Sequence, residues 1–265
     1  MLIKGLVLKI KMLKEKLRQK KVTIGSWITL GHPSIAEILA LAGYDWLVVD
    51  LEHTTISIEQ AGELIRVIDL CGVAPLVRLT SNHPDQIKRV MDAGAHGIVV
   101  PMVNSVEDAA RAVAATRYAP QGIRGVGLAR AQKFGTGFSE YLQWQKDGPV
   151  VIVQIEHKDA LDHLEAIFSV SGVDGFIIGP YDLSCSMGIP GEFDRPEFKA
   201  AMNQILTTGL RMNFPAGLHI VEPDQALLRK VIAEGYRFIA YSVDIRMLDV
   251  AARIGITTAK EERNS

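Results

Sequence analysis

The chain has two cysteines in 265 residues, Cys71 and Cys185. They stand far apart and outside any Cys-x-x-Cys pattern, which excludes a disulfide framework and a cysteine-based zinc site. So few thiols suit a reducing compartment, and a cytoplasmic location is the expectation. Excess charge is missing as well: 29 basic residues face 30 acidic ones, a net charge of −1, which argues against nucleic acid as the main partner. No run is long and apolar enough to span a membrane. The apolar runs that do exist contain no lysine. A Schiff-base aldolase needs a lysine projecting into its site; Lys88, Lys199 and Lys230 fall on amphipathic stretches, Lys133 and Lys146 in a long loop, and only Lys158 lies near the end of an apolar run.

Hydrophobic residues make up 48% of the sequence, enough for a sizeable core. Eight short apolar runs recur: "VTIGSWI" at 22–28, "WLVVDLE" at 46–52, "APLVRLT" at 74–80, "GIVVPMV" at 97–103, "PVVIVQIE" at 149–156, "GFIIGP" at 175–180, "FPAGLHI" at 214–220 and "YRFIAYSVD" at 236–244. Runs of this kind read as strands buried on both faces. Amphipathic stretches such as "SIEQAGELIRVIDLCG" and "EPDQALLRKVIAEGY" separate them, several closing on glycine as helices do. Eight alternations over this length predict an α/β chain folded as a (β/α)8 TIM barrel. The rival, an open doubly wound sheet, lacks its Gly-rich first turn here. No Pro/Gly/Ser-rich linker appears, so residues 22–265 read as one barrel domain. Residues 119–146 form its longest interruption, of the kind that is usually functional or mobile.

Residues 1–21 differ from the rest. They carry eight basic residues and one acid among Leu, Ile, Val and Met, and Lys4, Lys9 and Lys11 break any signal-peptide core. The expectation is a basic extension leading into a helix whose apolar stripe closes one end of the domain; a helix on an anionic membrane surface is the alternative. Met12 is a second candidate start.

In barrels of this type the site lies at the C-terminal ends of the strands. Those ends hold Asp50, Glu52 and His53 after the second run, Arg78 at the third, Glu156 after the fifth and Asp182 after the sixth. His53 alone is no more than a loop histidine. Arg78 leaves a buried strand and needs a partner: either it pairs structurally with Asp50 or Glu52, or it clamps a carboxylate or enolate oxygen. Glu156 and Asp182 end consecutive runs, and neighbouring strands lie about 5 Å apart. Two converging carboxylates without cysteine suit a hard cation such as Mg²⁺ or Mn²⁺. The alternative is two independent helix caps.

Over residues 13–255 the chain resembles the HpcH/HpaI family of class II pyruvate aldolases. The matching motifs are "GSW", "DWLVVDLEH", "PLVRL", "DAGAHGIVVPMV", "RGVG", "VQIE" and "GPYDLS". The resemblance implies a barrel of the phosphoenolpyruvate/pyruvate-domain type that reversibly cleaves 4-hydroxy-2-oxo acids to pyruvate and an aldehyde. It implies a divalent metal cofactor (Mg²⁺, Mn²⁺ or Co²⁺) on Glu156 and Asp182, with Arg78 on the keto oxygen. It also implies backbone N–H groups near Tyr181 and Asp182 on the carboxylate, Gln154 beside the bound pyruvate, His53 as base oriented by Asp50, and Arg124 acting across a subunit boundary. Such relatives are hexamers with the last helix packed on a neighbour. The family commonly has small residues where Tyr181 and His157 stand, which leaves the aldehyde open. Oxaloacetate decarboxylation, and 2-oxo acid binding without turnover, are the competing readings.

Overall fold

A computed structural model describes residues 13–264. Eight parallel strands close into a barrel in chain order: β1 (Thr23–Ile28), β2 (Trp46–Asp50), β3 (Ala74–Arg78), β4 (Gly97–Val100), β5 (Val150–Ile155), β6 (Gly175–Ile178), β7 (Ala216–Ile220) and β8 (Phe238–Val243). The predicted (β/α)8 barrel is therefore the fold. Each apolar run supplies one strand, trimmed by a few residues.

Helices return the chain between strands. Residues 13–18 form the first described helix, α1; then come α2 (Pro33–Leu41), α3 (Ile58–Leu70), α4 (Pro84–Ala93), α5 (Val106–Thr116), α6 (Phe138–Trp144), α7 (Leu164–Phe168), α8 (Pro180–Ser186), α9 (Pro196–Arg211), α10 (Gln225–Glu234) and α11 (Asp244–Asn264). Local chemistry sets their ends. At α3, Ser57 and Gln60 form a reciprocal capping box. At α4, Pro84 opens the helix and Gly94, at φ 103°, closes it in the left-handed conformation that glycine adopts without strain.

Strand alternation sorts the apolar side chains into two cores. Ile28, Leu47, Val49, Val77, Ile98 and Val153 point outward to the helices. Trp46, Val48, Leu76, Val99, Ile152, Phe238 and Ala240 point inward and fill the barrel. The Trp46 indole stacks on Phe238 at 3.9 Å between ring centroids. It fits because Gly25 faces it from β1, where a Cβ would strike the indole.

The N-terminal end of the barrel is plugged by α1. Leu13 and Leu17 are buried among the inward-facing residues. Lys14 follows them in and donates to Pro149 O at 2.7 Å and to Asp174 Oδ2 at 3.1 Å. Burial pushes the Lys14 ammonium down, and the Asp174 carboxylate partly offsets that loss. Within residues 13–18 the helix thus lies on the barrel floor; residues 1–12, where the rest of the basic extension was expected, lie outside the described residues. No helix among the described residues is long and apolar enough to cross a membrane.

If this plug holds the barrel floor, Leu17→Ala should destabilise the fold by about 2–5 kcal/mol, the usual range for a buried leucine. Urea unfolding followed by far-UV circular dichroism reads this, and a shift near zero would mean that α1 detaches without cost.

Candidate active site

Inward positions at the strand ends form the opposite mouth. Asp50 and Arg78 are register partners on β2 and β3, so their side chains emerge side by side. Arg78 donates from Nε to Asp50 Oδ1 at 2.8 Å and from Nη2 to Asp50 Oδ2 at 2.6 Å. This two-pronged pair fixes the guanidinium plane. Its remaining arm, Nη1, lies 3.4 Å from Glu52 Oε2. The Trp27 indole on β1 covers it, 4.4 Å from the guanidinium carbon. The Arg78 and Asp50 side chains are only 15% and 3% exposed.

Asp50 has a further task. Its Oδ1 accepts from the backbone N–H of Glu52 at 3.0 Å and of His53 at 3.4 Å, which shapes the turn after β2. The carboxylate that was expected to orient the His53 imidazole is bound to Arg78 and to that turn, and it reaches His53 through the backbone N–H. The imidazole instead lies with Nε2 3.7 Å from Glu52 Oε2, and the His53 side chain is 62% exposed at the rim.

Glu156 follows β5 and is buried. Its Oε1 accepts from the Met102 N–H at 2.7 Å, and its Oε2 from the Gln154 side-chain amide. Met102 holds φ 53°, a conformation costly for a residue with a side chain; the strain aims its N–H at the carboxylate. Gly179, after β6, lets the backbone approach: a Cβ there would sit 2.7 Å from Glu156 Oε2. Asp182 stands in the first turn of α8, exposed and close enough to act on the charge of both Glu156 and Glu52. The Tyr181 ring is 61% exposed and packs edge-on against Phe193 at 4.9 Å.

This mouth is short of positive charge. Burial pushes the Glu156 carboxyl up, with Asp182 adding to it. Burial also pushes Glu52 up to about 7; Arg78 opposes this, while Glu156, Asp50 and Asp182 reinforce it. Glu52 Oε2 is buried without a hydrogen-bond partner. A cation between these groups would relieve all of these costs, so the residues present fit a hard divalent ion. Among the described residues no three His, Cys, Asp or Glu side chains group to hold a metal. Glu156 and Asp182 would thus leave room for water and substrate in a six-coordinate shell.

Arg124 does not reach the mouth. Its guanidinium is sealed in its own chain, donating to Asp92 Oδ1 at 2.7 Å, Tyr141 Oη at 2.8 Å and Thr116 O at 3.2 Å, beneath the Tyr118 ring. Asp92 and Thr116 lie in the last turns of α4 and α5, the helix ends that return the chain to the N-terminal side of the strands, so this cluster sits at the far end of the barrel. Within this chain Arg124 pins the 119–146 excursion there. Sequence reading also missed two inward residues of the mouth, Trp27 and His219. Their signal was parity: Trp27 shares its face with Gly25, and His219 shares its face with Gly217.

The site can be set beside known proteins. Residues 23–250 match the HpcH/HpaI aldolase/citrate lyase family. The chain is 38% identical over 240 residues to a hydroxypyruvate/pyruvate aldolase of Sagittula stellata, covering 90% of this chain and 94% of that protein. It is 38% identical over 250 residues to a 4-hydroxy-2-oxo-heptane-1,7-dioate aldolase of Salmonella typhimurium, covering 92% and 94%. A crystal structure of a family protein from Burkholderia cenocepacia superposes with a TM-score of 0.88 at 35% identity, covering 94% of this chain and 99% of that one. The barrel, its mouth and these likenesses lead to one conclusion: the chain belongs to the HpcH/HpaI aldolase/citrate lyase family.

Proposed function

We propose that this protein is a metal-dependent pyruvate aldolase that reversibly cleaves 4-hydroxy-2-oxo acids to pyruvate and an aldehyde. The observation that carries the reading is the Arg78 guanidinium, clamped by Asp50 and held in the barrel mouth together with the buried carboxylate of Glu156. The eight strands carry no lysine, which disfavours the Schiff-base route. Names of relatives at 38% identity support the same activity.

Glu156 and Asp182 would hold the divalent ion, with Mg²⁺, Mn²⁺ and Co²⁺ as candidates. Once bound, the ion supplies Lewis-acid polarisation of the substrate carbonyl. The chain's own residues do the rest. Arg78 presents N–H donors and a full charge to the ketone oxygen, where negative charge gathers as the carbon–carbon bond breaks. Asp50 and Trp27 hold the guanidinium still, so little reorganisation accompanies that step. Gln154 steadies the Glu156 carboxylate. The backbone N–H groups of Tyr181 and Asp182, at the start of α8, would take the substrate carboxylate. His53, at the open rim beside Glu52, takes the proton of the 4-hydroxyl, directly or through a water. Assembly with further copies is part of the proposal, as a hexamer by family resemblance. Leu248, Ile254 and Ile256 on α11 are open to solvent, which supports packing of that helix on a second copy.

Enolisation tests the reading without knowledge of the aldehyde. With added Mg²⁺ or Mn²⁺, the methyl protons of pyruvate should exchange in D₂O, and EDTA should stop the exchange. A protein that binds pyruvate but never exchanges its protons would be a 2-oxo acid sensor. Pyruvate release from oxaloacetate, measured beside release from 4-hydroxy-2-oxo acids, ranks decarboxylation against aldol cleavage.

Arg78→Lys should lower turnover by at least about a hundredfold, because lysine keeps the charge and loses the fork. Turnover near wild type would leave Arg78 a purely structural partner of Asp50.

The charge shortage has its own signature in the chelated protein. Glu52 titrates near 7 in the fold against its ordinary 4.5, so the fold favours its neutral form. That contribution is complete below pH 4.5 and is lost as pH rises through 7. Between pH 5 and pH 8 the wild type should lose about 2 kcal/mol that Glu52→Gln retains, after allowance for solvent screening. Parallel urea titrations at the two pH values check this; equal losses in both proteins would show that Glu52 carries no buried charge.

A further inference from the structure

His219 and His53 both stand at the mouth. His219 lies within β7, where its register partner Ala240 belongs to the inward-facing core. Its Nε2 lies 3.1 Å from the carbonyl oxygen of Ser242, which takes φ 58° where the β1–β8 register slips between Gly25 and Trp27. Burial pushes His219 down to about 4, so its ring is neutral at ordinary pH and a poor base. His32, His83 and His157, after β1, β3 and β5, each turn Nδ1 to the backbone of the helical turn that follows. His53 differs from all of these: neither of its ring nitrogens makes a hydrogen bond among the described residues.

The side chain nearest that free ring is Glu52. Asp50 fixes only the backbone of the turn: its Oδ1 takes the N–H of Glu52 and of His53, and its carbonyl oxygen takes Thr54 Oγ1 at 2.5 Å. The bend over residues 51–54 brings together two successive side chains that a strand would send to opposite faces. Glu52 Oε2 then stands 3.7 Å from His53 Nε2 and 3.4 Å from Arg78 Nη1. This oxygen is buried and has no hydrogen-bond partner. Arg78 cannot turn to meet it, because Asp50 holds its fork and Trp27 covers its plane. The His53 side chain is 62% exposed and is free to turn. A small rotation of the ring closes the gap to the usual length of about 2.9 Å. A carboxylate oxygen that faces a guanidinium is an acceptor, so the ring nitrogen that meets it must carry the proton.

We propose that Glu52 is the positioning residue of the base: its Oε2 receives the Nε2–H of His53 and so selects the tautomer whose bare nitrogen, Nδ1, takes the proton of the 4-hydroxyl. The proposal rests on the aldolase reading above and deepens it. In cleavage the O–H bond of the 4-hydroxyl breaks and its proton goes to Nδ1. The electron pair left on that oxygen becomes the second bond of the aldehyde carbonyl. The pair of the breaking carbon–carbon bond moves into the enolate, whose oxygen faces Arg78. The imidazolium keeps its Nε2–H on the Glu52 carboxylate, which stabilises the new charge as the carboxylate of a catalytic triad does. The enolate carbon then takes a proton back from Nδ1, directly or through a water, and the ring returns to its starting tautomer.

Two measurements on the Mg²⁺-loaded protein test this. The first is a double-mutant cycle on kcat for cleavage of one 4-hydroxy-2-oxo acid. In Glu52→Gln the amide can press its own N–H on Nε2 and impose the other tautomer; kcat should fall about a hundredfold, within the usual contribution of a general base. In the His53→Ala background the same change should cost about twofold at most, because no ring is left to position. Equal factors in the two backgrounds would assign Glu52 to Arg78 or to the fold and overturn the proposal. The second is ¹⁵N NMR of [¹⁵N]histidine-labelled protein, with the His53 signals identified by their loss in His53→Ala. The wild type should show Nε2 protonated and Nδ1 bare, and Glu52→Gln should lose that bias. A wild-type ring protonated at Nδ1, or a bias unchanged in Glu52→Gln, overturns the proposal as well. Exchange of pyruvate methyl protons by the wild type reports on the aldolase reading separately, and the tautomer measurement decides the placement of Glu52 without it.

Discussion

The mouth of this barrel depends on the pairing of Arg78 with Asp50. Both side chains leave neighbouring strands at matched register, and both are nearly removed from water. A buried guanidinium without a carboxylate would carry a heavy desolvation cost, and so would the carboxylate alone. Joined by two hydrogen bonds, they form a rigid unit with one arm of the fork left over. That arm gives the mouth its fixed positive charge. Asp50 also ties down the turn that carries Glu52 and His53, so one carboxylate sets the position of three other ionisable groups.

Around this unit the charges do not balance. Glu52, Glu156 and Asp182 share a mouth with a single arginine, and the two glutamates are pushed toward their neutral forms. Such an arrangement is costly for a fold that needs only stability. It becomes reasonable where the missing positive charge arrives with a ligand or cofactor. The same logic applies to the backbone. Met102 and Ser242 both adopt left-handed conformations, and each aims a main-chain group at a side chain of the mouth: an N–H at Glu156 and a carbonyl at His219. The strain is supported by the closed barrel, whose packed strands leave those segments no easier path.

The far end of the barrel is organised for the opposite purpose. There the charges are paired within the chain: Lys14 with Asp174, Arg124 with Asp92, and Arg130 with Asp69, which the His96 ring also approaches at 3.1 Å. The long excursion between α5 and β5 is fastened to this end through Arg124 and Arg130. Within the chain it serves the fold. Ion pairs within the chain hold it in place; carboxylates short of a counter-charge mark where chemistry is proposed.

Much of this was legible in the residues themselves. Eight apolar runs separated by capped amphipathic stretches leave few ways to bury their surface other than a closed parallel barrel. Arg78, Glu156 and Asp182 were legible as candidates because charges at the ends of buried strands must face something. Sequence alone could not decide partners, since these depend on register and on backbone path. Register placed Asp50 against Arg78 and left Glu52 beside the His53 ring. The one-residue slip in β8 turned the Ser242 carbonyl toward His219, a residue that in "GLHI" looks like any other strand histidine. The route of residues 119–146, with no strong period to constrain it, was settled by tertiary contacts, and these paired Arg124 with Asp92 at the far end of its own barrel. Local sequence thus determined which segments become strands and helices, because propensity and burial act residue by residue. Closure of the barrel determined which charges meet, because that depends on how distant segments are brought to the same end.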